Sequence, residues 1–372
     1  MFRIERLSLS EAIDRGVWRR LNPSSVYLSA EWLCAFDDPT VAECVVHIAE
    51  QGEELIAALV THTMHGGSAN TVYDLFALSG GLFGGAREDW RPQVLVGSRL
   101  GQSNSVLVRG DLPPEVVATA LRELLNSAMG KSATGVLYAP AEVASIMHHA
   151  SDGRLQPVLA EVGSVLEASH ISFDDYVRSL PGSKRGSVRR DLRDFGGTMS
   201  QAQLRPDSAA IPAYARLMAN VQARHDQPAS LVSLERYLRR CASPGLQTIV
   251  FEARHEGRIS AFGLGLHHES TLWMRVVGLT YDANGSTDGA YGHVLVYEPM
   301  KYAIEHGLKK IDLGAGVSSA KRLRGATGFP LWHLIQPPAS VLGVVPLATA
   351  NRARAHELGL AMSELPVNVS NG

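Results

Sequence analysis

Asp312, Lys321 and Arg324 are the residues whose types and spacing most suggest chemistry. Asp312 stands in Lys309-Lys310-Ile311-Asp312-Leu313-Gly314-Ala315-Gly316, where a polar residue alternates with apolar ones before two glycines. A carboxylate drawn into such a strand is costly unless paired. Lys321 and Arg324, in Lys321-Arg322-Leu323-Arg324-Gly325, are its candidate partners. A carboxylate and a cation so placed can take a proton and stabilise a developing oxyanion; the alternative is a plain structural ion pair. Upstream, Tyr281 to His293 forms a loop with Gly285, Gly289 and Gly292. Its glycines permit close backbone approach, and a helix start beyond them suits an anion; the alternative is a long surface turn. Asp288 and His293 join Asp312 as candidate bases, and Tyr291 lies within the loop.

A second signal is the run Arg178 to Arg193, with six basic side chains and the single acid Asp191. A helix starting at Lys184 places Arg185, Arg189 and Arg193 on one face, and Arg190 lies beside them. Such runs are ordinarily solvated helix faces, but here the balancing acids are missing. Trp32, Tyr73, Trp273 and Tyr291 are candidate lining for an acceptor cleft, against the plainer role of core aromatics. No GxSxG elbow is present, and Cys34, Cys44 and Cys241 make no metal or disulfide pattern. The fourteen histidines show no HExxH spacing, so no metal is expected. The formal net charge of -2 gives no global attraction to polyanions, so any basic site is local. No apolar signal core follows the charged N-terminus, and Ser340 to Ala350 is too short to span a bilayer. These features predict a cytoplasmic protein.

The elements that position these residues occur twice. Cys44 to Glu50 and Leu55 to Thr63 read as a hairpin turning at Gly52; Thr248 to Ala253 and Ile259 to His267 read as another, turning at Gly257. A β-rich stretch follows each, Asn70 to Ala77 and Thr271 to Thr280. Glu115 to Met129 reads as a helix, closed by Gly130 and followed by a strand at Thr134 to Ala139. His293 to His306, Gly307 and Lys309 to Leu313 repeat that block. Helices at Ile211 to His225 and Ser233 to Ala242 precede the second sheet, and Gly80 to Gly101 is the extra length of the first copy. Pro299 kinks or restarts its helix. The order predicts an α/β (α+β) chain with two similar mixed sheets flanked by helices, and a boundary near residues 155 to 172.

Phe173-Asp174-Asp175-Tyr176 through Arg189-Arg190, Tyr297 to Gly307, Asp312-Leu313-Gly314 and Lys321-Arg322-Leu323-Arg324-Gly325 resemble the Fem-type acyltransferases, tandem relatives of the acetyltransferase superfamily. The resemblance covers residues 25 to 335. It implies two acetyltransferase-like (GNAT-fold) domains, at 1–160 and 161–338, the second carrying the donor site, with a tail at 339–372. It implies an enzyme forming an amide by aminoacyl transfer from aminoacyl-tRNA to an amine. The alternatives are an acyl-CoA-dependent N-acetyltransferase and a non-catalytic binding protein of the same fold. Lys321 resembles the basic residue near the acyl donor, and Gly289 to His293 falls where the superfamily binds pyrophosphate. The superfamily's Arg or Gln is replaced here by Ser286, and the next small residue falls at Gly292. Catalysis is then expected of Lys321, Asp312 and His293. Donor binding is expected of Gly289, Tyr291, Gly292, Arg185, Arg189 and Arg190, and acceptor binding of Trp32, Tyr73 and Trp273. The expected partners are tRNA and a small amine, with no tightly bound cofactor.

Overall fold

The computed structural model describes residues 2–66, 68, 70–79, 81–227, 229–282, 287, 289–316, 318–341 and 346–360. The chain falls into two compact units, Met1–Val162 with Phe329–Gly372, and Gly163–Gly328. In chain order the first half supplies β1 (Arg3–Leu7), α1 (Leu9–Asp14), α2 (Val17–Leu21), α3 (Ala30–Phe36), β2 (Glu43–Gln51), β3 (Glu54–Met64), α4 (Leu75–Ser79), β4 (Gln93–Val96), β5 (Leu107–Val108), α5 (Pro114–Ala128), β6 (Ala133–Pro140) and α6 (Ala141–Ala150). β7 (Gln156–Glu167) follows. Then come α7 (Phe173–Ser179), α8 (Gly182–Asp194), β8 (Thr198–Gln203), α9 (Ile211–Arg224), α10 (Leu231–Cys241), β9 (Gln247–His255), β10 (Arg258–His268) and β11 (Thr271–Leu279). The chain continues with α11 (Ala290–Gly292), α12 (Glu298–Glu305), β12 (Lys310–Ala315), α13 (Ser318–Leu323), β13 (Thr327–Gln336) and α14 (Leu347–Leu358).

The first unit's sheet runs β1-β2-β3-β4-β6-β13 and the second's runs β8-β9-β10-β11-β12-β7. Every pairing with a described register is antiparallel except β4 with β6 and β11 with β12. The architecture is the mixed α/β duplication that the order of elements predicts. In each unit the strand beyond the parallel pair comes from elsewhere in the chain. β12 is flanked by Gly163–Glu167 of β7, and β6 by β13. The expected boundary region is therefore a strand, cut between Val162 and Gly163, because its backbone groups must be paired on a ladder. Residues 329–338, expected in the second domain, and the tail helix α14 lie with the first unit. Asn351 of α14 donates to Pro157 O and accepts from Leu159 N.

Two expectations change. Asn70 to Ala77 is a 3₁₀ turn and the helix α4, not a strand. The side chain of Asn70 accepts from Val72 N, and that of Asp74 from Ala77 N. Such local side-chain bonds offer the backbone an alternative to a ladder. The strand that was missed is β4, buried throughout, inside the stretch taken as inserted length. Around Pro299 the helix restarts. His293–Tyr297 is a π-helical turn, and α12 begins at Glu298 with Pro299 near its start. Proline lacks an N–H and crowds the carbonyl four residues back, and the wider π turn accommodates both.

Buried apolar side chains fill both units. Leu121, Leu124, Leu125, Val136 and Trp332 meet in the first, and Leu272, Met274, Val296, Tyr297 and Ile311 in the second.

Candidate functional site

The two parallel ladders differ at the point where a ligand could enter them. In the second unit β11 and β12 pair only over Thr271–Trp273 and Lys310–Asp312, and β11 then continues to Leu279. Beyond Trp273 the described β12 ladder stops, so β11 turns backbone donors and acceptors toward the diverging edge. In the first unit all four residues of β4 pair with β6. The chain after them is bridged by Asn104, which is fully buried. Ser98 N donates to Asn104 Oδ1 at 2.7 Å, Asn104 Nδ2 donates to Leu137 O at 2.6 Å, and Asn104 N donates to Tyr138 O at 3.1 Å. The position that is open in the second unit is stitched shut in the first.

The bulges tell the same story. In β12 the register slips between Asp312 and Ala315, and Gly314 takes φ +69°. In β6 the slip falls between Val136 and Ala139, and Tyr138 takes φ +53°. A bulky residue in the left-handed region is strained. Tyr138 is held there by its hydroxyl bond to Val72 O and by its ring against His333, 4.6 Å between centroids. At the matching place the second unit has bare backbone.

Asp312 lies where the β11–β12 ladder ends, opposite Trp273. Its Oδ1 accepts from Gly314 N at 2.7 Å. Burial raises its carboxyl to about 6, against the opposing pull of that hydrogen bond and of the nearby Lys321 charge. Lys321, on α13, is buried. Its ammonium donates to the carbonyls of Gly314, Ala315 and Gly316 at 3.1, 3.1 and 3.3 Å. The expected ion-pair partner of Asp312 is thus a clamp on the turn that follows it. Arg324 pairs with Asp191 of α8 instead.

That pair organises the loop. Tyr297 OH also donates to Asp191 Oδ2, and Arg324 Nε donates to Tyr297 OH at 3.1 Å. A Cβ on Gly289 would stand 3.0 Å from Asp191 O. One on Gly292 would stand 2.8 Å from Arg324 Nε and 3.0 Å from Asp191 Oδ2. Only glycine lets α8 and Arg324 press so close. The guanidinium also lies 5.5 Å from the ring centre of Tyr291, whose phenol is pushed up by burial. His293 is 5% exposed and stacks on Phe195 at 4.2 Å, with Nδ1 3.8 Å from Glu298 Oε1. Gly285, Ser286 and Asp288 of the loop lie outside the described residues.

Along α8, Arg189 and Arg190 are exposed and Arg185 is half-buried, its Nη2 donating to Leu180 O. Only Val188 of this helix is fully buried, and Arg189, Arg190 and Arg193 face outward. The structure thus brings Gly289, Tyr291 and Gly292 together with α8, and Asp312 together with Lys321 and Trp273. The expected acceptor aromatics fall in both units. Trp273 is in the second unit, 8% exposed. Trp32 and Tyr73 are interior side chains of the first unit, 1% and 3% exposed. Trp32 packs between Tyr27 and Phe36 and donates to Ser98 Oγ; Tyr73 donates to Leu100 O. Buried and packed on all sides, they have no face to offer an acceptor. Sequence reasoning left Asp191 and Tyr297 unassigned. The signal for Asp191 was its being the one acid in a basic run; Tyr297 offered none beyond its place in an apolar helix.

Residues 182–322 match the family described as acetyltransferase (GNAT) domain. No curated protein matches the chain in sequence. Among solved structures the chain is similar to FemX, at 10% identity, covering 96% of this chain and 99% of that one, with a TM-score of 0.61. It is also similar to the C-terminal domain of a protein named as a lysylphosphatidylglycerol synthetase from Agrobacterium fabrum (14% identity, 93% and 95% covered, TM-score 0.53). A conserved protein of unknown function from Bacteroides thetaiotaomicron is a third (15% identity, 90% and 99% covered, TM-score 0.52). At these identities the likeness is one of fold.

Proposed function

We propose that this chain, an acyltransferase built on two GNAT-fold units, transfers an aminoacyl group from aminoacyl-tRNA to an amine, with the donor held by the second unit. The observation that carries the reading is α8, a helix presenting Arg185, Arg189 and Arg190 whose backbone at Asp191 abuts the glycine loop. Charge is divided in the same sense. Residues 163–328 hold 21 basic and 16 acidic side chains, net +5, and the remainder 14 and 21, net -7. A polyanionic donor is drawn to the positive unit. The diverging β11–β12 edge would take the acyl arm, and no tightly bound cofactor is invoked. Such a donor places the reaction in the cytoplasm.

In this reading Asp312 is the general base. The amine nitrogen attacks the ester carbonyl, its proton passes to Asp312, and the C–N bond forms. The tetrahedral intermediate then expels the ribose oxygen, which takes the proton back. A base with a carboxyl near 6 is ionised at neutral pH and still basic enough to help. Lys321 holds the Gly314–Gly316 turn and supplies positive potential beside Asp312.

Acyl-CoA is the second donor to weigh, because the GNAT family match spans the loop itself. The test incubates the full chain with charged tRNA or with acyl-CoA and a panel of amines, reading amide product by mass spectrometry. Transfer from tRNA is expected. Replacing Arg185, Arg189 and Arg190 with Glu should abolish tRNA binding, and wild-type binding should weaken steeply with salt. Transfer from acyl-CoA alone selects the second donor.

A further inference from the structure

Lys321 rides on a helix that cannot hold it in place alone. α13 has six residues, far below the roughly 12–15 at which a helix becomes even marginally stable in water. Among its described side chains only that of Lys321 is buried, so apolar packing does not anchor it. Polar ties at its end do. Arg324 follows α13 directly, and its backbone N–H donates to Lys321 O at 3.0 Å. Its side chain turns back on the helix, Nη1 donating to Ala320 O at 2.9 Å. It also reaches out of the helix, Nε donating to Tyr297 OH at 3.1 Å and Nη2 to Asp191 of α8. Tyr176 OH donates to Arg324 O at 2.5 Å. The Arg324 and Asp191 side chains are 12% and 19% exposed. A pair this far out of water is screened little, unlike exposed pairs, which water separates easily.

We propose that Arg324 is a positioning residue for the carboxylate of Asp312: bound to α8 through Asp191, it fixes α13 and so holds the Lys321 ammonium on the Gly314–Gly316 turn. This rests on the reading of Asp312 as the general base. The linkage is continuous. It runs from Asp191 to Arg324, along the backbone of α13 to Lys321, and from there to the turn whose Gly314 N donates to Asp312 Oδ1. The charge that keeps the Asp312 carboxyl from rising further is that of Lys321, not that of Arg324. Whatever Arg324 does to Asp312, it therefore does by placing Lys321. An arginine suits the task because its planar fork reaches acceptors on α13, on α8 and on the π-helical turn at once. On α8 Asp191 stands next to the exposed Arg190, so the helix offered to the donor is also the one that sets the base.

The test follows the titration of the Asp312 carboxyl by carbon-13 NMR of the full chain labelled at aspartate, the signal being assigned by its loss in Asp312→Asn. In wild type it should titrate at about 6. Lys321→Met should raise that value by about one pH unit. Arg324→Gln should raise it by about half a pH unit. Added to Lys321→Met, it should raise it no further, because the group it positions is gone. Asp191→Asn leaves the bonds to Ala320 and Tyr297 in place and should raise it less than Arg324→Gln. An unchanged value in Arg324→Gln overturns the proposal, and so does an equal rise with and without Lys321. If Arg324→Gln does not fold, an unchanged value in Asp191→Asn overturns it. Acyl transfer is measured separately. In Arg324→Gln the acid limb of kcat should move up with the donor KM unchanged. A titration shifted as expected without transfer from either donor removes the reading of Asp312 as base and leaves the linkage. Transfer whose acid limb stays in place in Arg324→Gln removes the linkage and leaves acyl transfer.

Discussion

A carboxyl group whose charge the fold disfavours is kept at the end of a strand ladder, and that cost is measurable. The Asp312 carboxyl rises from 3.8 to about 6 on folding, chiefly by burial. Between those values the folded state binds more protons than the unfolded one, so stability falls as pH rises from 4 to 6 and is flat above. The full cost at pH 7 is about 3 kcal/mol. Asp312→Asn should therefore unfold at a higher temperature than wild type at pH 7.5, by up to that free energy, while losing acyl transfer. A variant that is less stable, or that keeps its turnover, sinks the assignment of Asp312 as base. Lys321→Met removes the cation that lowers the Asp312 carboxyl, so the acid limb of the pH–rate profile should move up from about 6. It also strips the ammonium from three carbonyls, with a stability loss of about 1–3 kcal/mol. An unmoved acid limb would leave Lys321 with the turn as its only task.

At the scale of elements, one motif has been set to two uses. Parallel strands, a bulge and a left-handed residue occur in both units. In the first, Asn104 fastens the ends of β4 and β6 together; in the second, β11 runs on past its partner. Asn104→Ala leaves Ser98 N and Leu137 O buried without that partner. We expect a loss of about 2–4 kcal/mol, read in urea unfolding, with the donor KM unchanged in the folded protein. A raised donor KM at full stability would mean that the first unit takes part in donor binding. α8 shows the opposite economy. It has one fully buried side chain and a mid-helix glycine, Gly186, and Val188, the half-buried Leu192 and the Asp191 contacts hold it in place.

Across the whole molecule, chain order and spatial order part company at the strand beyond each parallel pair. β6 has β4 on one side and β13 on the other. Truncation after Gly328 removes α14 and all but the first two residues of β13, with the buried Trp332, Leu334 and Ile335. Such a chain should lose the first unit's cooperative unfolding transition, because β6 would expose an unpaired edge in what was interior. Retention of two transitions in calorimetry would show that β13 is dispensable. Among the described residues no helix is long and apolar enough to cross a membrane.

What the sequence alone determined was whatever is local. Both hairpins were legible because glycine at a reversal between apolar alternations leaves few alternatives; Gly52 and Gly257 both take positive φ. The helices from Pro114 and Ile211 were legible from their periodicity. So was the basic face of α8, because charge is written in residue types. Tertiary structure decided the rest. β4 is short and follows residues that bond locally, so only its two neighbours make it a strand. Trp32 and Tyr73 became core residues, and Lys321 became a clamp, because burial is not a property of residue type. Asp191 found Arg324 across 133 positions. No spacing rule reaches that far, since the loop closing such a contact is paid for by the packing of the whole unit.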